Sequence, residues 1–409
     1  MQRRHFLAAA LPLATGSVRL LAASPGTPRV LVVFLRGAYD AASLLVPTSS
    51  SFYYEQRPHI AIARPGTAAD AAIALNAEWG LHPALLDTMM PLFDKRQLAF
   101  VPFAGTDDTS RSHFETQDSI ELGQPLTGPR NFQSGFMNRL GGVLGTRDAI
   151  AFTDQLPLTF RGTLAVPNLV LARLDKAAID ARQAQLIAGM YQASPLAGTV
   201  REGFAVRDEA VRDINGDPAS APASSAAMQD AAGEMQAASR NAITAKGFEG
   251  EARRVARLMR ERYHLGFIDV GGWDTHVGQG AASGYLANRL AELGKGLAAY
   301  ADEMGPAWND ATVLVISEFG RTFKENGNRG TDHGHGSVYW ALGGAVRGGR
   351  VAGEQVAVNA ATLFQNRDTP VLNEYRDVMG GLFSRLYGLS PAQVQRVFPG
   401  STPRDLGLV

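Results

Sequence analysis

Three short apolar segments, each running out into a polar or glycine-rich loop that carries carboxylates, constrain this chain more than any other feature. Arg29-Val-Leu-Val-Val-Phe-Leu35 and Thr312-Val-Leu-Val-Ile316 are continuously apolar rather than alternating, the pattern of strands buried on both faces of a parallel sheet. Phe267-Ile-Asp-Val270 reads as a third strand. After the first comes Gly37-Ala-Tyr-Asp40, after Val270 comes Gly271-Gly-Trp-Asp274-Thr-His276, and after Ile316 comes Glu318 with a glycine-rich loop holding Asp332, His333 and His335. Open α/β sheets bind ligands at the C-terminal ends of their strands. The pattern therefore predicts oxygen and imidazole groups gathered at one sheet edge.

The intervening segments fit the same architecture. Leu81–Met90 predicts a helix and Leu98–Phe103 a strand, completing a βαβ unit with the first strand. Helices are predicted from near Ser112, over Glu251–His264, over Tyr285–Met304 and over Asn373–Tyr387, with a glycine-rich hairpin at Gly343–Gly353. The stretch from about 167 to 251 differs: helical periodicity in Leu174–Tyr191 gives way to Ala/Ser-rich sequence in Asp213–Ser239, interrupted by Pro218 and Pro222. It reads as a helical insertion with a mobile linker, too polar and small-sided to bury a core of its own. With 45% apolar and 19% charged residues, the remainder can form a large core. The expectation is an α/β three-layer sandwich with a mostly parallel central sheet, one domain over 27–409.

Arg3-Arg4, followed by an apolar stretch of roughly 15 residues and the small residues Ala22-Ala-Ser24, has the form of a twin-arginine export signal. The first 26 residues or so are set apart from the fold on that reading, although a buried amphipathic first helix is the plain alternative. A spanning helix needs about 20 apolar residues, so the segment predicts no stable membrane anchor. The expected partner is the twin-arginine export machinery and the expected destination the periplasm or the medium. Lys plus Arg equal Asp plus Glu at 39 each, so no global field draws the chain to nucleic acid. It has no cysteine, which excludes disulfides, thiolate metal sites and a cysteine nucleophile.

Each candidate chemical group has an ordinary structural explanation beside it. Asp274 and His276 could share one side of a turn as metal ligands, or simply cap it. Asp332, His333 and His335 sit among Gly330, Gly334 and Gly336, which let backbone approach a ligand or another loop. Glu318 directly after a buried strand is costly to leave unpaired, so a metal or an arginine such as Arg36 or Arg321 should meet it; the same holds for Asp40. Ser112 with Glu115 forms an S-x-x-E capping box, and the same helix N-terminus would favour an activated serine nucleophile. Thr109 and Ser110 are rivals for that role, and Arg111, Arg36 or Arg321 could hold an anion.

The set L-V-V-F-L-R-G-A-Y-D, R-S-H-F-E-T-Q-D, G-G-W-D-T-H, S-E-F-G-R-T and G-T-D-H-G-H-G, behind a twin-arginine leader, resembles the DUF1501 family. That family is similar in overall pattern to the alkaline phosphatase superfamily, including sulfatases and phosphoglycerate mutases. The resemblance implies an alkaline-phosphatase-like fold, with Asp40 as first-strand metal carboxylate, Ser112 or a neighbour as nucleophile, Asp274 and His276 on one metal, and Asp332 and His333 on another. It departs where Glu318 follows the strand and Asp332 comes fourteen residues later, which leaves either as ligand; His335 ranks below His333. No C-x-P-x-R or S-x-P-x-R site is present for formylglycine chemistry.

The functional expectation is an exported hydrolase of small anionic phosphate or sulfate esters, using one or two divalent ions, zinc or manganese. The alternatives are a non-catalytic exported binding or assembly protein of the same fold, and a metal-dependent mutase or phosphoryl transferase closed over by the insertion.

Overall fold

The computed structural model describes residues 26–171, 190 and 226–409. The leader up to residue 25 and nearly all of the predicted Leu174–Tyr191 helix lie outside the described residues. Nine strands form one mixed, mostly parallel sheet. Its main strands are β1 (Arg29–Leu35), β2 (Leu98–Gly105), β3 (Ala149–Phe152), β4 (Leu265–Gly271), β5 (Ala311–Ser317), β6 (Ser337–Leu342) and β7 (Arg350–Val351). Their order is β7-β2-β6-β5-β1-β4-β3. β1 pairs in parallel with both β4 and β5, β3 in parallel with β4, and β6 runs antiparallel between β5 and β2.

The apolar runs fill both faces of this sheet, which is why they show no polar alternation. Along β1, Leu31, Val33 and Leu35 enter one core, while Val30, Val32 and Phe34 enter the other. β5 divides in the same way, Val313 and Val315 against Leu314 and Ile316. Each such side chain removed from water is worth about 1.5–3 kcal/mol. The longer helices are α1 (His113–Leu122), α2 (Phe136–Leu144), α3 (Ala226–Ser239), α4 (Phe248–Glu261), α5 (Tyr285–Met304), α6 (Tyr375–Tyr387) and α7 (Pro391–Val397). α4 and α5 supply Val255, Met259, Leu290 and Leu297 to the first core, and α2, α6 and α7 supply Phe136, Leu140, Phe383 and Val397 to the second. Helices therefore cover the sheet on both sides.

Four local expectations are corrected. Leu81–Met90 is not one helix: Gly80–Leu81 joins a small antiparallel sheet, Pro83–Leu85 makes a 3-10 turn, and a short helix runs from Met90 to Asp94. Pro83 and Pro91 each lack the N–H that a continuous helix needs, and both sit at helix starts instead. Nor does β2 lie beside β1, because β5 and β6 come between them, so the predicted βαβ unit is a wider crossover. Gly343–Gly353 is not a hairpin either, since β6 and β7 flank β2 on opposite sides. Finally, Ala226–Ser239, assigned to linker from its composition, is helical; alanine has the highest helix propensity of any residue. Among the described residues, no helix is long and apolar enough to cross a membrane.

Leu290 is fully buried between α5 and the sheet. Leu290→Ala is expected to lower the unfolding free energy by about 2–5 kcal/mol, read as a lower denaturant midpoint at constant slope.

Candidate metal centre

The ends of β1, β4 and β5 lie side by side in parallel register, Leu35 opposite Val270 and Ser317, so the loops that follow them leave from one edge. From β4 the chain turns through Gly271-Gly272 to Asp274, which is fully buried. From β5 it passes Glu318, also fully buried, and then doubles back: Thr322 N–H donates to the Asp332 carbonyl at 2.8 Å and Gly334 N–H to Gly320 O at 2.9 Å. That return brings His333 opposite Arg321, at the strand end it left fifteen residues before. Gly330 and Gly334 make the tight fold possible, because a Cβ on either would overlap the backbone of His276 or Arg321. Their smallness serves the packing of loop on loop.

The first turn of α1 supplies a histidine, His113, which stands directly after the N-cap Ser112. Its Nε2 lies 3.0 Å from His333 Nε2 and 3.5 Å from Asp274 Oδ2. His276 Nε2 lies 3.1 Å from His333 Nε2 and 2.9 Å from Asp274 Oδ1. Three imidazoles thus turn the same nitrogen toward one point beside a carboxylate. On the far side, each ring is held by an oxygen at Nδ1: Glu318 Oε1 at 2.8 Å from His113, the Arg111 carbonyl at 3.0 Å from His333, and Asp332 Oδ1 at 3.3 Å from His276. An oxygen acceptor at Nδ1 selects the tautomer with its proton there and leaves the Nε2 lone pair to a metal, as around most histidine metal sites. With Zn–N bonds of about 2.0–2.1 Å, tetrahedral ligands stand about 3.3 Å apart, near the spacings found here.

Glu234, on α3, completes the group: one ligand atom each from Glu234, Asp274, His276 and His333 lies within 4.8 Å of the others. Asp274 Oδ2 is buried without a hydrogen-bond partner, an orphaned acceptor that a cation would satisfy. The surroundings favour positive charge strongly. Burial opposes an imidazolium at His113, yet the neighbouring carboxylates of Asp274 and Glu318 raise its pKa to about 9. Burial likewise opposes ionisation of Asp274 and Glu318, but the histidines hold Asp274 far below the carboxylate range and His113 brings Glu318 to about 2. The residues present fit a divalent ion with mixed nitrogen and oxygen ligands.

The family model described as Protein of unknown function (DUF1501) matches residues 27–398. The chain belongs to the DUF1501 family. No curated protein matches it.

In this DUF1501 chain the structure brings together Asp274, His276 and His333 and separates the other proposed ligands. Glu318 and Asp332 stand one bond behind the cluster, as acceptors for His113 and His276. Asp40 is in a buried ion pair: Arg57 donates to both its oxygens at 2.6 and 3.0 Å, and Ser43 and Gln279 also donate to Oδ2. Burial alone would raise its pKa, but Arg57 holds it below the usual value. His335 packs its ring on Phe364, with centroids 4.7 Å apart, and burial lowers its pKa. Arg321 is bound to Asp274 and to Thr331, and Arg111 to Asp368 at 2.6 Å, so neither guanidinium is free to hold an anion. Ser112 caps α1, its Oγ accepting from Glu115 N–H at 3.5 Å. Arg36 pairs with Asp269 and Glu121, and Ser110 Oγ lies 3.3 Å from Thr116 Oγ1.

Sequence reasoning missed His113 and Glu234. For His113 the signal was present, an imidazole inside R-S-H-F-E at a helix start. Glu234 carried none, being one acid in an Ala/Ser-rich stretch.

Alanine at His113, His276 or His333 is expected to abolish stoichiometric metal binding with the far-UV circular dichroism unchanged. Glu318→Gln should weaken metal affinity by about 10–100-fold, as loss of an outer-shell acceptor does. Asp40→Asn should instead leave metal content intact and cost about 3–5 kcal/mol of stability, because Arg57 would remain buried without its partner. Loss of metal in Asp40→Asn would return that residue to the ligand set.

Proposed function

We propose that this protein is an exported metal-dependent hydrolase of phosphate or sulfate esters, built on an alkaline-phosphatase-like plan. The observation that carries the reading is the convergence of three Nε2 atoms, each with its Nδ1 anchored, on the orphaned carboxylate of Asp274. His113, Asp274, His276, His333 and Glu234 would hold the ion. A zinc or manganese ion bound there supplies Lewis acidity, polarising an ester oxygen and lowering the pKa of the nucleophile.

The protein's own groups have separable tasks. Glu318, Asp332 and the Arg111 carbonyl orient the three rings, and Arg321 fixes Asp274. Ser112 is the proposed nucleophile: it lies between Arg111, whose carbonyl anchors His333, and the ligand His113, and it is only half-buried. Free N–H groups at the start of α1 would favour its ionised form.

A second reading, an exported binding or assembly protein with a structural ion, is favoured by one observation. Arg111 and Arg321, the nearest candidates for gripping an anionic ester, are already paired with Asp368 and Asp274.

Elemental analysis of the purified protein is the first test, with stoichiometric zinc or manganese expected, followed by aryl phosphate and aryl sulfate hydrolysis assays. Ser112→Gly preserves the helix cap to within a few tenths of a kcal/mol, so lost turnover at unchanged metal content would assign the nucleophile. Metal without ester turnover in the parent protein would favour the binding protein, and a metal-free folded protein would end the hydrolase reading.

A further inference from the structure

Arg111 has an uncommon backbone conformation at a point that matters to the metal centre. Its φ is +54°, in the left-handed region that a residue with a Cβ rarely adopts. Such a conformation persists where the surroundings impose it. Its use here is direct: the carbonyl of the same residue accepts from His333 Nδ1 at 3.0 Å, which leaves the lone pair of His333 Nε2 to the cluster.

Two contacts can hold this backbone. Ser112 N–H, which shares a peptide with the Arg111 carbonyl, donates to Ser110 Oγ at 3.3 Å, a long bond between neutral groups. The guanidinium makes the stronger one. Its Nε and Nη2 both donate to Asp368 Oδ2, at 2.9 and 2.6 Å, and Nη2 also donates to Gln365 Oε1 at 2.6 Å. Charge-assisted bonds are roughly twice as strong as neutral ones, so the grip on Asp368 dominates.

Asp368 is placed to serve as a fixed point. It is fully buried, and its turn is closed by Phe364 N–H donating to Asp368 O at 2.8 Å and Asp368 N–H to Phe364 O at 3.0 Å. The same turn is bound to the loop that carries His333: Phe323 N–H donates to Arg367 O at 3.1 Å and Gly336 N–H to Thr369 O at 2.7 Å. Asp368 therefore keeps a constant position relative to His333. Its carboxylate bonds to Arg111 and Arg367 rather than to any ligand of the cluster.

We infer that Asp368 is a positioning residue for the metal: through Arg111 it turns a backbone carbonyl onto His333 and so sets how that ring presents Nε2. The inference rests on the metal centre proposed above, and it holds for the hydrolase and the binding protein alike.

The test is zinc affinity, measured by competition with a chelating dye on the full chain and its variants. Asp368→Ala removes the fixed point. The Arg111 side chain is 23% exposed and can turn to water, and the substitution also removes Asp368 Oδ1, a buried acceptor without a partner, so the fold should survive. Zinc affinity should fall about tenfold, the lower end of what loss of an outer-shell partner does. Adding Arg111→Gly should recover most of that loss, because glycine takes a positive φ without steric cost and keeps the carbonyl for His333. Adding Arg111→Ala should not, because the Cβ remains. A general loss of stability would weaken the two double variants alike. Asp368→Asn keeps the shape, removes the charge and carries the same comparison should the alanine variant fail to fold. Affinity unchanged in the Asp368 variant, or equal in the two double variants, would overturn the inference. A parent protein that binds no zinc would end the metal reading itself, and ¹⁵N NMR of the histidine rings then decides separately: the Asp368 variant should move His333 away from the Nδ1-protonated form, and an unchanged ring signal would overturn the inference.

Discussion

The carboxylate of Glu318 is the interaction on which the site depends. It is fully buried, and its contacts come from three elements: Gly37 N–H at 2.7 Å from the end of β1, Gln117 at 2.9 Å and His113 at 2.8 Å from α1, and Ser317 Oγ at 2.9 Å from β5. Four donors offset the desolvation that would otherwise keep it neutral. In return it locks two strand ends and a helix terminus to a common point and fixes the ring of His113. Gln117 extends the connection, since its carbonyl accepts from Arg36 at 2.8 Å, and Arg36 in turn holds Asp269. A continuous path of hydrogen bonds thus joins the cleft lined by Arg36 and Asp269 to the histidine cluster.

The rest of the molecule explains why such a charged layer can exist at all. Apolar side chains on both faces of the sheet hold the strands, and the strands stop together at one edge, where polar residues take over within a single position. Burial there makes an unpaired charge expensive, and the chain answers with specific pairs: Arg57 on Asp40, Arg321 on Asp274, Arg111 on Asp368. Asp274 Oδ2, Asp269 Oδ1 and Asp368 Oδ1 are buried without a hydrogen-bond partner, and of these Asp274 Oδ2 lies in the histidine cluster, where a cation would satisfy it.

Much of the site was legible because strand ends are legible. Asp274, His276 and His333 were identified from their place after apolar runs, and they do meet. Asp40 obeyed the same rule and went elsewhere, because Arg57, seventeen residues later in an unremarkable loop, reaches it first. Glu318 and Asp332 posed a choice of ligand that the fold dissolves, since both serve as acceptors behind different histidines. His113 was hidden by its neighbour: the capping pattern of Ser112 and Glu115 accounted for the motif and drew attention from the imidazole inside it.

By itself the sequence determined the α/β class, the strands buried on both faces, the start of α1 at Ser112 and the whole of α5, because these follow from local periodicity and capping. It also limited any metal to nitrogen and oxygen ligands by lacking cysteine. Only the tertiary structure decided which carboxylates meet cations and which meet imidazoles, that two strands separate β2 from β1, and that an alanine-rich helix delivers Glu234. Those outcomes depend on distances between residues up to two hundred and more positions apart, and pairing at that range is set by how the layers pack, which no local pattern encodes.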